Sequence, residues 1–222
     1  MNQDTWSAAD RYLGAALMPP DACMDACVEA NAEADLPAID VSPLQGKLLF
    51  LIAQIQGARR ILEIGTLGGY STIWLARALP ADGRLISLEL NPRHAKVARS
   101  NISRAGVADR VEVIEGPAVE SLARLHREAC GPFDMIFIDA DKPGYPEYLA
   151  WSLKLSHPGT VIVGDNVVRN GMIADAGATD ENVLGARAFI ESIAADPRLS
   201  ATVIQTVGKK GYDGFSIARV LE

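Results

Sequence analysis

A chain of 222 residues, 49% of them apolar, is long enough to bury one large α/β core. Its formal charge of −7, with Lys and Arg scattered, argues against a surface that coats nucleic acid, because phosphate binding rests on grouped cations. No apolar run approaches the length of a membrane span, and residues 1–10 show neither a basic start nor an apolar stretch, so we expect a cytoplasmic protein with no membrane or nucleic-acid partner.

Residues 1–57 read as helical, with an acidic stretch at 29–35 and a helix after Pro43. We expect them to form a cover, or a homodimer surface, on an α/β core spanning 58–222, the whole being one domain. Cys23, Cys27 and Cys130 make an odd set with no CxxC pair, which reads as reduced thiols. Cys23 and Cys27 could share a helix face and bind metal, but no His or third Cys lies near, so packing is the expectation.

From residue 60 the chain alternates short apolar runs with helical spacing. Arg60-Ile61-Leu62-Glu63-Ile64 ends at Gly65, and 70–79 follows as a helix. Arg84-Leu85-Ile86-Ser87-Leu88-Glu89 precedes a helix over 92–105, with Asn91 as cap and Pro92 at the first position. Further runs are 111–114, 133–139 and 160–164, the last entered through His157-Pro158-Gly159. Unbroken apolar runs predict strands buried on both faces of a parallel sheet. Residues 202–207 and 215–220 read as a hairpin joined by the Gly208 to Gly214 linker. These seven runs predict a doubly wound, Rossmann-like α/β sheet, mostly parallel, with an antiparallel C-terminal hairpin. Tyr145, Tyr148 and Trp151 read as helix packing, and His94, His126 and His157 have no catalytic spacing.

In such sheets the ligand sits beyond the carboxyl ends of the strands. The first end reads Glu63-Ile64-Gly65-Thr66-Leu67-Gly68-Gly69-Tyr70-Ser71, a glycine turn opening a helix. Leu67 stands where a dinucleotide fingerprint needs its second glycine, which disfavours NAD or FAD and suits an adenosyl cofactor without a pyrophosphate. Glu89, ending the second strand, can accept hydrogen bonds from ribose hydroxyls. Together these point to S-adenosylmethionine. Ala118, after the third strand, could lie against the adenine or be an ordinary loop residue.

The fourth strand ends in Asp139-Ala140-Asp141-Lys142 and the fifth in Gly164-Asp165-Asn166. Carboxylate and amide oxygens converging from neighbouring strand ends suit a hard divalent cation, Mg²⁺ first, with Mn²⁺ or Ca²⁺ as alternatives. The plainer reading is that they cap helices or turns.

These residues resemble the cation-dependent class I O-methyltransferases, similar to the caffeoyl-CoA and catechol enzymes. The resemblance runs from about Val41 to the C-terminus. It is carried by Leu62-Glu63-Ile64-Gly65 with Gly69-Tyr70-Ser71, by Phe133-Asp134 with Phe137-Ile138-Asp139-Ala140-Asp141-Lys142, and by Asp165-Asn166-Val167. Ala186-Arg187-Ala188-Phe189, Asp196-Pro197-Arg198 and Asp213-Gly214 add to it. It implies metal ligation by Asp139, Asp165 and Asn166. It implies contacts to S-adenosylmethionine from Val41, Glu63, Gly65, Leu67, Ser71, Glu89, Ala118, Asp139 and Asp141. Lys142 would be the general base on a small phenolic, catechol-like substrate. An NAD-linked oxidoreductase and a non-catalytic S-adenosylmethionine-binding protein are the competing readings.

The sequence departs from the family after the Asp-Asn pair. An aromatic residue is common there, but this chain has Val167-Val168-Arg169-Asn170-Gly171. We expect Arg169 to face the substrate mouth and favour a polar or anionic substrate. Residues 172–181 read as a loop, either a lid or ordinary surface, and residues 1–40 are expected to complete the substrate pocket.

Overall fold

The computed structural model describes residues 2–221. Three helices come first: α1 (Gln3–Leu17), α2 (Ala22–Glu33) and α3 (Pro43–Gln56). Asn2, Asp21 and Ser42 precede them, and each side chain accepts a backbone N–H of the first turn. Those N–H groups have no partner four residues back, so the caps satisfy them locally. Gly57 closes α3 in the left-handed conformation that a residue with a Cβ disfavours.

The alternating part follows as β1 (Arg60–Ile64), α4 (Tyr70–Ala78), β2 (Arg84–Glu89), α5 (Pro92–Arg104), β3 (Val111–Glu115), α6 (Ala118–Arg127) and β4 (Phe133–Ile138). A 3₁₀ turn at Lys142–Gly144 leads into α7 (Tyr145–Lys154), then β5 (Ser156–Gly164), α8 (Glu181–Ala195), β6 (Leu199–Gly208) and β7 (Gly211–Val220). The sheet order is β3-β2-β1-β4-β5-β7-β6. β1 to β5 pair in parallel, and β7 runs antiparallel to both β5 and β6. The chain starts in the middle of the sheet, winds out to β3, then returns to β4 on the other side of β1. Strand order reverses between β1 and β4, which opens a crevice at their carboxyl ends.

Period-two alternation sends each strand's side chains to two cores. Ile61, Met135, Phe137 and Val163 meet Leu49, Ile73 and Leu75 of the α3 and α4 layer. Leu62, Ile64, Ile136, Ile138 and Ile162 meet Leu122, Leu125, Leu149 and Phe189 of α6, α7 and α8. Each such side chain, removed from water, contributes roughly 1.5–3 kcal/mol. The strands read as unbroken apolar runs because both faces are covered.

Several boundaries differ from the sequence expectation. β4 ends at Ile138, so Asp139 already belongs to the loop. β5 begins at Ser156, and its register against β4 jumps from Phe133↔Ser156 to Met135↔Val161. This irregularity absorbs His157, Pro158 and Gly159, and Pro158 is tolerated there because no regular ladder bond asks for its missing N–H. The terminal hairpin is longer and its turn tighter than expected: the strands pair as far as Gly208↔Gly211, leaving only Lys209-Lys210 between them.

Candidate active site

The crevice is a cleft of about 690 Å³, walled by the loops after the first five strands and by residues 37–41 from outside the sheet. Val41, Gly65, Leu67, Ser71, Glu89, Ala118, Asp139, Asp141, Lys142 and Asn166 all line it. Glu63 and Asp165 do not; both are buried, at 0% and 3% exposure. Pro37, Ile39 and Asp40 also line the cleft, so the tail of the N-terminal segment forms part of its wall.

Gly65 has φ +100, and a Cβ there would lie 2.1 Å from the Asp139 carbonyl oxygen. Glycine is required because the ends of β1 and β4 touch at this point, which sets the glycine loop directly against the Asp139 segment. Leu67, standing where a dinucleotide fold would have glycine, takes φ +50, itself a left-handed value. Glu89 holds that conformation. Its Oε2 accepts the Leu67 N–H at 2.8 Å and the Thr66 N–H at 3.2 Å, and its Oε1 accepts the Asn91 N–H at 2.9 Å. An ionised carboxylate has about four acceptor sites. Glu89 therefore keeps roughly one for a ligand rather than the pair expected for two ribose hydroxyls.

Glu63 is placed differently from the direct contact expected of it. Its side chain shares the sheet face of Ile61 and lies behind the loop, accepting from the hydroxyls of Ser71 (2.5 Å), Ser87 (2.6 Å) and Thr72. Burial pushes its carboxyl up to about 7, with the hydroxyl bonds acting in the opposite direction. Glu63 thus fixes Ser71, which does reach the cleft. On the loop's outer side, Asn101 Nδ2 donates to Gly68 O at 2.9 Å and to Asn31 Oδ1 at 3.0 Å. Asn31 Nδ2 donates in turn to Asp40 Oδ1 at 2.9 Å. This buried chain of amides ties α2 and the 37–41 wall to the 65–71 loop. Cys27 packs beside it, its Sγ 3.7 Å from Gly68 O, and burial pushes the thiol up to about 12. Cys27 is a core residue, and no cluster of three or more His, Cys, Asp or Glu groups able to hold a metal occurs among the described residues.

At the end of β4 the side chains are tightly engaged. Asp141 caps the 3₁₀ turn through Gly144 N–H at 3.1 Å and accepts from Tyr148 Oη at 2.6 Å. Lys142, 6% exposed, donates to Tyr145 Oη at 2.7 Å, Ala140 O at 3.1 Å and Asp139 Oδ1 at 3.3 Å. The fully buried Tyr145 hydroxyl shares its one proton between Ile138 O (2.9 Å) and Asp165 O (3.0 Å), bridging the ends of β4 and β5 beneath the lysine. α8 presses on the same turn through Gly185, where a Cβ would stand 2.2 Å from Lys142 O.

At the end of β5, Asp165 Oδ2 accepts from Gln45 Nε2 at 2.7 Å and Oδ1 from Asn166 N–H at 2.8 Å. Burial, then the charge of Asp139, pushes the Asp165 carboxyl upward. The carboxylates of Asp139 and Asp165, beside the Asn166 amide held at φ +53, fit a hard divalent cation: two charged oxygens and one neutral oxygen leave coordination positions open.

The structure also recruits residues that sequence reasoning set aside. Tyr145 and Tyr148 do pack α7, yet their hydroxyls hold Lys142 and Asp141. His94 lines the cleft with Nδ1 3.5 Å from Glu89 Oε1. Gln45 gave no signal, since its partner lies 120 positions away. Residues 169–174 form an irregular 3₁₀ segment, and Arg187 holds its end through Ile173 O and Asp175 O.

An open α/β sheet with a glycine loop, an acid at the next strand end and a carboxylate–lysine–asparagine group at adjacent strand ends defines a ligand-binding protein of the doubly wound class. Comparison with known proteins narrows this. The family model described as O-methyltransferase matches residues 17–219. A catechol O-methyltransferase of Niastella koreensis is 51% identical over 220 residues, covering 99% of this chain and 100% of the relative. The crystal structure of an O-methyltransferase from Bacillus cereus in complex with SAH superposes with a TM-score of 0.97 at 57% identity, covering 99% and 100% of the two chains. TomG from Streptomyces achromogenes, an O-methyltransferase of tomaymycin synthesis solved with SAM, gives 0.96 at 50% identity with 100% of each chain covered. The chain belongs to the O-methyltransferase family, which removes the oxidoreductase and non-catalytic readings.

Proposed function

We propose that this O-methyltransferase transfers the methyl group of S-adenosylmethionine to one hydroxyl of a small vicinal diphenol, with a divalent cation, the whole chain acting as one cytoplasmic domain. One observation carries the reading: Asp139, Lys142 and Asn166 line the same cleft as the 65–71 loop and Glu89, with Asp165 buried beside them. The complexes of the two solved relatives with SAH and SAM support the cofactor, and the name of the Niastella relative supports the substrate class.

Gly65, Leu67, Ser71, Glu89 and Ala118 would bind the adenosyl group, with Val41 and Asp141 closing around it; Glu63 acts through Ser71. Asp139, Asp165 and Asn166 would hold the cation, which when bound supplies Lewis acidity and a template for the two adjacent oxygens. An unperturbed phenol has a pKa of about 10, so few molecules are nucleophilic at neutral pH. Lys142 Nζ, fixed from below by Tyr145, would take the hydroxyl proton as the neutral amine, which keeps two donors and offers a lone pair. The freed oxygen lone pair forms the bond to the methyl carbon while the sulfur–methyl bond breaks, its electrons remaining on sulfur. Holding both reactants in one cleft removes much of the entropic barrier.

The test is methyl transfer from S-adenosylmethionine to a panel of catechols, with EDTA and with Mg²⁺ restored. Activity lost with EDTA and recovered with Mg²⁺ is expected. Full activity in EDTA overturns the cation's role, and silence across the panel overturns the substrate class.

A homodimer is part of the proposal. α1 buries none of its side chains and packs beside α3 and β6. These elements expose Tyr12, Leu17, Ile55, Ile204 and Val207, an apolar face that a second copy of the chain would cover.

A further inference from the structure

We propose that Arg169 is a specificity-determining residue that selects diphenols bearing a carboxylate, and this rests on the methyltransferase reading of the same cleft. Arg169 lines the cleft together with Asp139, Lys142 and Asn166, so it sits at the end where the substrate must lie. Its Nε is shut off from solvent and has no hydrogen-bond partner among the described residues. No carboxylate of those residues pairs with it either. An N–H removed from water and left unmatched is unfavourable, and more so on a charged group.

The other charges nearby are already engaged. Lys142 is spent on Asp139, Ala140 O and Tyr145 Oη. Asp180, an acid within electrostatic reach of Arg169, is committed to capping α8 through the N–H groups of Asn182 and Val183. Among the described residues, no carboxylate is hydrogen-bonded to the Arg169 guanidinium, which leaves its donors open to an anion in the cleft.

The backbone that carries Arg169 is held in a defined bend rather than a loose loop. Arg169 and Asn170 both take φ +55, a left-handed value disfavoured for residues with a Cβ. Asp213 Oδ1 stabilises the bend by accepting the N–H groups of Val168 (3.0 Å) and Arg169 (2.9 Å). A planar guanidinium anchored on such a bend matches a carboxylate through parallel N–H···O bonds and repels an ammonium group.

The experiment compares kcat/KM for catechol, 3,4-dihydroxybenzoate and dopamine at saturating S-adenosylmethionine and Mg²⁺. The wild-type protein should prefer the benzoate to both others. In Arg169→Gln the benzoate-to-catechol ratio should fall roughly 10- to 100-fold, the scale of a charge-assisted hydrogen bond. Arg169→Lys keeps the charge but not the fork, so its ratio should fall severalfold, and it carries the test if the glutamine variant does not fold. Arg198→Gln, at an exposed arginine paired with Asp196, controls for general charge and should leave the ratio unmoved. A ratio unchanged in both Arg169 variants while catechol is methylated overturns this inference alone. A wild-type preference for dopamine overturns it as well. Failure of all three diphenols overturns the substrate class and this inference with it.

Discussion

Replacing Gly185 by alanine adds one methyl group at the point where α8 meets the Lys142 turn. That carbon would fall 2.2 Å from Lys142 O, 2.4 Å from Lys142 C and 2.7 Å from Pro143 N, where ordinary contact begins near 3.4 Å. All three atoms are backbone, so no side chain can swing aside, and helix and turn must separate by roughly 1 Å in a close-packed interior. Overpacking costs about 1–3 kcal/mol. Alanine recovers close to 1 kcal/mol of helix propensity. Net destabilisation is therefore about 0–2 kcal/mol, which lowers the melting temperature by no more than roughly 8 °C in a chain of this size. Catalysis should suffer far more, because a displacement of about 1 Å at a reacting group costs on the order of 100-fold. The assay pairs kcat for catechol methylation with thermal unfolding and calorimetric titration of S-adenosylhomocysteine. Large loss of kcat with a small shift in melting temperature and nearly wild-type cofactor affinity is expected. A variant whose kcat stays within about threefold of wild type refutes the argument that α8 positions Lys142.

Glu63→Gln should change how stability depends on pH. A buried carboxyl held up to about 7, against a usual value of 4.5, favours folding fully below pH 4.5 and loses that contribution as pH rises through 7. Urea unfolding at pH 5 and pH 8 should show the wild-type protein losing up to about 3 kcal/mol that the glutamine variant does not lose; equal pH slopes would contradict this. Ile55→Glu, at a side chain 86% exposed on the apolar face, should convert a dimer to a monomer in sedimentation velocity. Sedimentation of the wild-type chain as a monomer at micromolar concentration rejects the dimer.

Much of the architecture was legible because burial on both faces leaves a direct trace: runs such as Phe133-Asp134-Met135-Ile136-Phe137-Ile138 can hardly be anything but central strands. The candidate site was legible for a related reason. Once those strands are parallel neighbours, Asp139 and Asp165 must emerge at the same edge of the sheet. What escaped was whatever depends on the third dimension. Glu63 reads as a strand-end acid, but its position in the alternation sends it to the Ile61 face, away from the cleft. Tyr145 reads as helix packing, which it is, and nothing in the sequence shows that its hydroxyl spans two strand ends. Gln45 reaches Asp165 from the first turn of α3, a contact that no local pattern marks. Residues 118–127 carry an amphipathic helix that the strand-centred reading passed over, and 181–195 form a helix behind a segment read as loop.

The cleft has walls of two origins. The groups that would bind the cofactor and move the proton stand at strand ends, locked by the sheet, whereas residues 37–41 arrive from outside it and are held by the Asn31–Asp40 bond and by Lys210 donating to Asp40 O. A lineage can therefore reshape the outer wall, and so the molecules admitted, while the reaction itself is inherited unchanged.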